Sequence, residues 1–228
     1  MAVVTLTYNR LELTKETLRS FYQHLDVERP HHIVVDNGST DGTVEWLRES
    51  GLVSEVFALP RNVGIGVGLS LGMQAAYLHS SKPEFVLSLE NDFRTVAPFC
   101  AWAQAVLHRR VRARRILLWH PQRSLYTAGR PNKDVPGAEY TLQMSLVSFP
   151  PSLYRRDFVR AWFPVQSEHS SFRRGKVWAA AARQGSEFLE HIPGPPRPGQ
   201  RSGSYGLGLN DQEMARQGLW VDQLHGET

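Results

Sequence analysis

Val34-Val35-Asp36-Asn37-Gly38-Ser39-Thr40-Asp41-Gly42-Thr43 is the stretch that decides the fold of this 228-residue chain. An apolar run rich in β-branched residues switches abruptly to small polar ones, as a buried parallel strand does when it opens into a ligand loop. One strand and one helix earlier, Thr5-Leu6-Thr7-Tyr8-Asn9-Arg10 makes the same switch. Both polar clusters therefore belong at the carboxyl ends of strands, where open α/β sheets bind their ligands.

Outward from these two loops, apolar segments at Val3–Leu6, His32–Val35, Val53–Leu59 and Phe85–Leu89 alternate with helical patterns. That order predicts βαβ units in an α/β fold with a mostly parallel sheet. A first helix reads from a Thr14 cap with Leu18, Phe21, Tyr22 and Leu25 on one face, and a third carries Val67, Leu71, Ala75 and Leu78; both stripes are core. Further along, Leu142–Phe149 reads as a strand, Leu153–Ala161 as a short helix, Lys176–Gln184 as a helix ending at Gly185, and Ser186–Ile192 as a strand. The length suits a single domain over residues 1–228, and no composition break divides it. The Pro- and Gly-rich stretch from Pro193 to Gln200 is a loop.

The lone Cys100, set among Phe99, Ala101 and Trp102, excludes an internal disulfide and reads as a buried inert thiol. No apolar run approaches ~18 residues and no leader pattern precedes Val3, so the expectation is a soluble, cytoplasmic protein. The net charge of +4 is mild, and the basic residues form no stripe interleaved with stacking aromatics, which argues against nucleic acid as a partner. The one basic run, His108 to Arg115, reads as a solvated helix end before a strand at 116–119; peripheral contact with an anionic membrane or acceptor is the alternative.

Four groups carry chemistry. Thr7, Tyr8, Asn9 and Arg10 offer a hydroxyl, an aromatic edge, an amide and a guanidinium suited to a base and its phosphates, or a simple helix cap. Asp36 can accept from the imide N–H of uracil or thymine; Asn37 and Gly38 allow a sharp turn, with Ser39 or Thr40 capping a helix near Thr43. A ligand-free Asx turn is the alternative. The glycines from Arg61 to Gly68 follow the third strand, whereas a dinucleotide fingerprint follows the first. Finally, Glu90-Asn91-Asp92 ends a buried strand with two carboxylates whose repulsion a divalent cation, Mg²⁺ or Mn²⁺, relieves; a plain acidic strand end is the alternative.

Taken together these segments resemble the N-terminal signature of family 2 glycosyltransferases. The resemblance covers residues 3–92 with specific motifs and 140–190 more loosely. It implies a GT-A type (Rossmann-like) α/β/α sandwich, with a nucleotide-sugar-binding half over 1–95 and an acceptor-binding half over 96–228. It further implies inverting, metal-dependent transfer from a UDP- or dTDP-sugar to a glycan, lipid-linked or small-molecule hydroxyl. In that frame Thr7 to Arg10 lie along the nucleoside, and Arg61, Asn62 and Gly64 form an Asn-x-Gly wall of the donor pocket, with Ser70 and Gly72 where members often have an Asn. Asp92 is the leading metal ligand, with Glu90 beside it and Asn91 between. Glu168, after Tyr154-Arg155-Arg156, is the leading general base, and Asp211, heading a later helix, is its rival. His191 and His225 are candidates for the late histidine near the diphosphate, and Arg201 for a phosphate clamp. A nucleotidyltransferase or a catalytically silent nucleotide-sugar binder are the other readings, the first opposed by the lack of a Gly-rich loop after the first strand.

Overall fold

The computed structural model describes residues 1–118, 139–142, 151–162, 187–192 and 221–223. Strand β1 (Ala2–Thr7) lies between β2 (His31–Asp36) and β4 (Phe85–Ser88), and β3 (Glu55–Ala58) lies outside β2. These four pair in parallel, with Thr7 opposite Asp36. β8 (Ser152–Arg155) continues the sheet antiparallel to β4. Beyond it come β6 (Ala113–Leu117), β9 (Glu187–Ile192) and β7 (Glu139–Leu142), giving the order β3-β2-β1-β4-β8-β6-β9-β7. β8 and β7 run against the other six, so the sheet is mixed but mostly parallel.

Why the strands read as unbroken apolar runs is visible in the packing. On one face Val3, Leu87, Ile116 and Leu153 meet Phe21 of α1 (Leu11–Gln23) and Leu107 of α4 (Cys100–Arg109). On the other, Val4, Ile33, Val86 and Tyr154 meet Met73 of α3 (Ile65–Leu78) and Phe158 of α5 (Arg156–Trp162). Neighbouring residues such as Val3 and Val4 serve opposite cores, as a period of two demands when helices cover both faces. The α/β/α sandwich is thereby present.

Helix α3 lies close on the sheet because its buried face carries glycine. A Cβ at Gly72 would stand 2.5 Å from Val4 Cγ1 and 3.0 Å from Val35 Cγ2. Both valines are fully buried and β-branched, so neither swings aside. Gly72→Ala is expected to destabilise the fold by about 1–3 kcal/mol despite its better helix propensity, read as a lower urea midpoint.

Several local expectations are corrected. The segment Leu153–Ala161 is not one helix: Ser152–Arg155 is a strand held between β4 and β6, and α5 begins at Arg156. Pairing on both edges outweighs the helical pattern of four residues. Helix α1 begins at Leu11, three residues before the expected Thr14 cap, and Thr14 is buried within it. The basic run is not wholly solvated, since Arg115 lies inside β6 at 2% exposure. β7 ends at Leu142, where the expected strand began; residues 143–149 and the expected helix at 176–184 lie outside the described residues. The strand expected at 186–192 is β9, and Cys100 is buried, its thiol pKa pushed up mainly by desolvation. No helix among the described residues is long and apolar enough to cross a membrane.

Candidate active site

The strand order reverses at β1, which has β2 on one side and β4 on the other. A crevice opens at such a switch point beyond the carboxyl ends of the strands. Here it is a cleft of about 290 Å³ lined by Leu6, Arg10, Ile65, Leu69, Ser88, Leu89, Glu90, Asn91 and Asp92. The two carboxylates from β4 and the guanidinium from the β1 loop, far apart in sequence, thus face one cavity.

The β1 and β2 loops are laced together. Asn9 N–H donates to Ser39 Oγ at 2.7 Å, and Thr40 N–H donates back to Asn9 Oδ1 at 3.0 Å. Asn9 and Arg10 hold left-handed backbones, φ 52° and 63°, a conformation costly for residues with a Cβ and characteristic of functional sites. The bend leaves the α1 amide of Leu11 facing Asp41, whose Oδ2 accepts from it at 2.9 Å, while Oδ1 accepts from Thr43 N–H and hydroxyl at 3.2 and 2.6 Å. Desolvation would raise the Asp41 pKa, but the hydrogen bonds from Thr43 and Leu11 prevail and lower it. The N-cap residue of α2 (Thr43–Glu49) is Gly42, and Asp41 just before it, rather than Ser39 or Thr40, accepts from the first amides of both α2 and α1.

Asp36 is 1% exposed. Its carboxylate accepts from Thr7 Oγ1 (2.9 Å), Gly38 N–H (3.1 Å), Ser39 N–H (2.8 Å) and Ser39 Oγ (2.5 Å). Two of these donors are rotatable hydroxyls, so acceptor capacity is released if they turn. Asn37 braces the next loop: its Oδ1 accepts from Val63 N–H at 2.8 Å and its Nδ2 donates to Asn62 Oδ1 at 2.8 Å. Asn62 Oδ1 also accepts from Gly64 N–H at 2.8 Å. At Gly38, with φ 84°, a Cβ would meet the Arg61 backbone at 2.8 Å, so the two loops touch only because this residue has none. Tyr8 and Arg61 project from these loops into solvent, Tyr8 at 45% exposure. Asn91 turns inward, its Nδ2 donating to Thr14 Oγ1 at 3.3 Å.

The electrostatics of the cleft centre on the acid pair. Arg10 Nη1 donates to Asp92 Oδ2 at 3.3 Å, across the switch point. Glu90 has its pKa raised to about 8, first by burial and then by the charge on Asp92, with the Arg115 guanidinium opposing. Arg115 was not expected here; only its place two residues from Ala113 in a strand signals burial. Its Nε and Nη2 donate to Ser152 Oγ at 3.0 and 2.8 Å, placing a fixed cation under the floor of the cleft.

The Glu90 shift has a sign that can be tested. The unfolded chain releases this proton near 4.5 and the folded one near 8. Its stabilisation is full below 4.5 and is lost as pH rises through 8, with a slope of up to ~1.4 kcal/mol per pH unit. Buried His32, lowered to about 3 chiefly by desolvation, acts in the opposite sense only below 6.5. Between pH 6.5 and 8 without divalent cations, urea stability should fall, and Glu90→Gln should flatten that fall.

The antiparallel pair of β5 (Phe93–Thr95) and β10 (Val221–Gln223) sets Gln223 opposite Phe93, one residue from Asp92. Residues 221–223 thus lie beside the strand that follows the acid pair. His191 lies in β9, three strands from β4, or roughly 14 Å in the hydrogen-bonding direction. Glu168, Arg201, Asp211 and His225 lie outside the described residues.

The family model for glycosyl transferase family 2 matches residues 2–79, about a third of the chain. A comparison with curated protein sequences found no match. Among solved structures the chain is similar to S. aureus TarS 1-349, at 17% identity and TM-score 0.55, over 83% of this chain and 57% of that one. It is similar to GalNAc-T7 with UDP, GalNAc and Mn²⁺, at 14% identity and TM-score 0.61, over 83% and 42% respectively. A third is the Pyrobaculum calidifontis mannosyltransferase PcManGT in complex with GDP-Man and Mn²⁺, at 16% identity and TM-score 0.53, over 87% and 57%. The chain spans about half the length of these proteins, and at such identities the likeness is one of fold. The resemblance read from the β1 and β2 loops is thus borne out: residues 2–79 match glycosyl transferase family 2, on a fold similar to that of solved GT-A glycosyltransferases.

Proposed function

We propose that this chain is a metal-dependent inverting glycosyltransferase that moves a sugar from a UDP- or dTDP-sugar to a hydroxyl acceptor, in the synthesis of a cell-surface glycan or glycoconjugate. The observation that carries the reading is the single cleft at the β1/β4 switch point, where Arg10, Glu90 and Asp92 converge beside the family-matched loops.

The donor set fits a hard divalent cation. Two carboxylates crowd one cavity, and the charge on Asp92 raises the Glu90 pKa, a repulsion that a cation held by Asp92 with Glu90 would relieve. Mn²⁺ or Mg²⁺ bound there supplies charge neutralisation for the diphosphate leaving group. The remaining work belongs to side chains. Arg10, mostly exposed and tied among the described residues to Asp92 at 3.3 Å, is positioned to turn onto a phosphate. Tyr8 offers a face to the base, and Asp36 accepts its imide proton once the Ser39 or Thr7 hydroxyl rotates. Glu168 takes the proton of the acceptor hydroxyl as it attacks the anomeric carbon, with Asp211 as the second candidate. The approach of β10 to Asp92 favours His225 over His191 as the late histidine near the diphosphate, with Arg201 as a closing clamp. Cytoplasmic location and a peripheral membrane contact through the exposed basic residues around Val111 belong to the same proposal.

Competition among UDP, dTDP, GDP and ADP tests the donor. The pyrimidine nucleotides should bind best, and Asp36→Ala should erase the preference. Because Asp36 also ties its own loop, circular dichroism must show the variant folded, and Ser39→Ala, which removes a competing hydroxyl donor, should keep the preference. GDP binding as well as UDP to the intact protein would refute the pyrimidine assignment.

A further inference from the structure

At the end of the sheet opposite the cleft, three side chains with nitrogen and oxygen donors meet. His31 starts β2, Glu55 starts β3, and His79 follows α3. Their donor atoms all lie within 4.8 Å of one another. His31 Nε2 is 2.8 Å from Glu55 Oε1, and the His31 and His79 rings stack with centroids 3.9 Å apart. All three are partly buried. Five residue steps of β2 separate His31 from Asp36, roughly 16 Å, so this cluster is distinct from the Glu90–Asp92 pair.

Three elements hold these side chains together at one corner of the sheet. Ser81 Oγ lies 2.8 Å from His79 Nδ1 and the Ser81 N–H donates to the same nitrogen at 3.3 Å, which holds that ring in place. The next residue on β2, His32, faces the interior, where Thr5 Oγ1 and the Tyr22 hydroxyl engage its two nitrogens at 2.9 and 3.0 Å. His31 thus projects to the other side, toward Glu55. Two imidazoles and one carboxylate form a borderline-soft set suited to Zn²⁺ and its late first-row neighbours, and ill suited to Mg²⁺ or Ca²⁺. Donors in a tetrahedral zinc site stand about 3.3 Å apart, given bonds of ~2.0–2.1 Å. Binding requires the stacked His31 and His79 rings to turn until their in-plane nitrogen lone pairs converge, a movement open to partly exposed side chains.

We propose that His31, Glu55 and His79 form a Zn²⁺ site with its fourth position left to water. Bound there, the ion ties the amino ends of β2 and β3 to the carboxyl end of α3. The proposal is independent of the glycosyltransferase reading, since it uses no residue of the cleft.

Calorimetric titration of the full chain with Zn²⁺ in excess Mg²⁺ tests it. One Zn²⁺ per chain should bind, and His79→Ala and Glu55→Gln should each weaken binding by more than the ~10–100-fold that loss of an outer partner costs. Asp92→Asn should leave this binding unchanged. Zinc at a hundredfold excess over its Kd should raise Tm by roughly 5–10 °C in the intact protein and not in His79→Ala. Co²⁺ should give tetrahedral d–d absorption that Glu55→Gln removes. No stoichiometric Zn²⁺, equal binding by both variants, or loss in Asp92→Asn alone would overturn the site.

Discussion

Replacing Glu168 by Gln should leave nucleotide-sugar binding intact while slowing transfer by ~10²–10⁴-fold, the contribution a positioned general base makes. The substitution removes the proton acceptor and keeps the size of the side chain, so a selective loss of rate separates chemistry from folding. Glu168 follows the segment around Arg155 and Arg156. Those arginines are anchored: Arg155 Nε donates to Ala113 C=O at 2.9 Å, and Arg156 Nη2 donates to the Tyr77 C=O near the end of α3 at 2.7 Å. The end of β8 and the start of α5 are therefore fixed against the sheet and α3. Single-turnover release of UDP from the donor, measured with a panel of hydroxyl acceptors, gives the rate, and calorimetry gives donor affinity. Asp211→Asn should have a smaller effect. The reverse ranking would move the base to the C-terminal acid and refute the assignment to Glu168.

Asp92→Asn should cost ~10²–10³-fold in transfer, the scale on which loss of one charge-stabilising group is felt. It should also bring UDP affinity down to the value seen when EDTA removes divalent cations. The expectation follows from the cleft itself. Asp92 is the carboxylate paired with Arg10, and Glu90, with its pKa near 8, is mostly protonated at neutral pH until a cation favours its charged form. Asn keeps the hydrogen-bonding shape but removes the charge, leaving Arg10 without its anionic partner. Wild-type affinity indifferent to EDTA and to Asp92→Asn would eliminate the metal role while leaving the nucleotide site standing.

Loops that carry the family match were legible because each lies within about ten residues of its strand and its chemistry is local. Asp36, Arg10 and Asp92 were read from abrupt apolar-to-polar switches, and the structure places all three at the carboxyl end of the parallel strands. Side-chain work within the loops was less legible. Asp41 rather than Ser39 or Thr40 accepts from the first amides of α1 and α2, and Thr14 is core rather than a cap. Those outcomes depend on Asn9 and Arg10 turning left-handed, which no propensity of Asn or Arg demands. Arg115 was hidden in a basic run because its burial depends on Ser152 from β8 meeting it across the sheet.

By itself, the sequence determined the alternation of strands and helices, the two-sided burial of β1, β2 and β4, and the identity of the polar residues at their carboxyl ends. The period of two survives folding because helices cover both faces of the sheet, and the 3.6 period places Leu18 and Phe21 of α1 in the core; on α3 the expected stripe is wrong, since Leu71 and Leu78 are exposed while Leu69, Met73 and Ala76 are buried against the sheet. The tertiary structure decided which of those residues meet. Its parallel register, with Thr7 opposite Asp36, and its strand reversal at β1 bring Arg10 to Asp92 across 82 positions. It also decided that His31, Glu55 and His79 share a corner, since their pairing across β2, β3 and α3 rests on long-range packing that spacing along a chain does not encode.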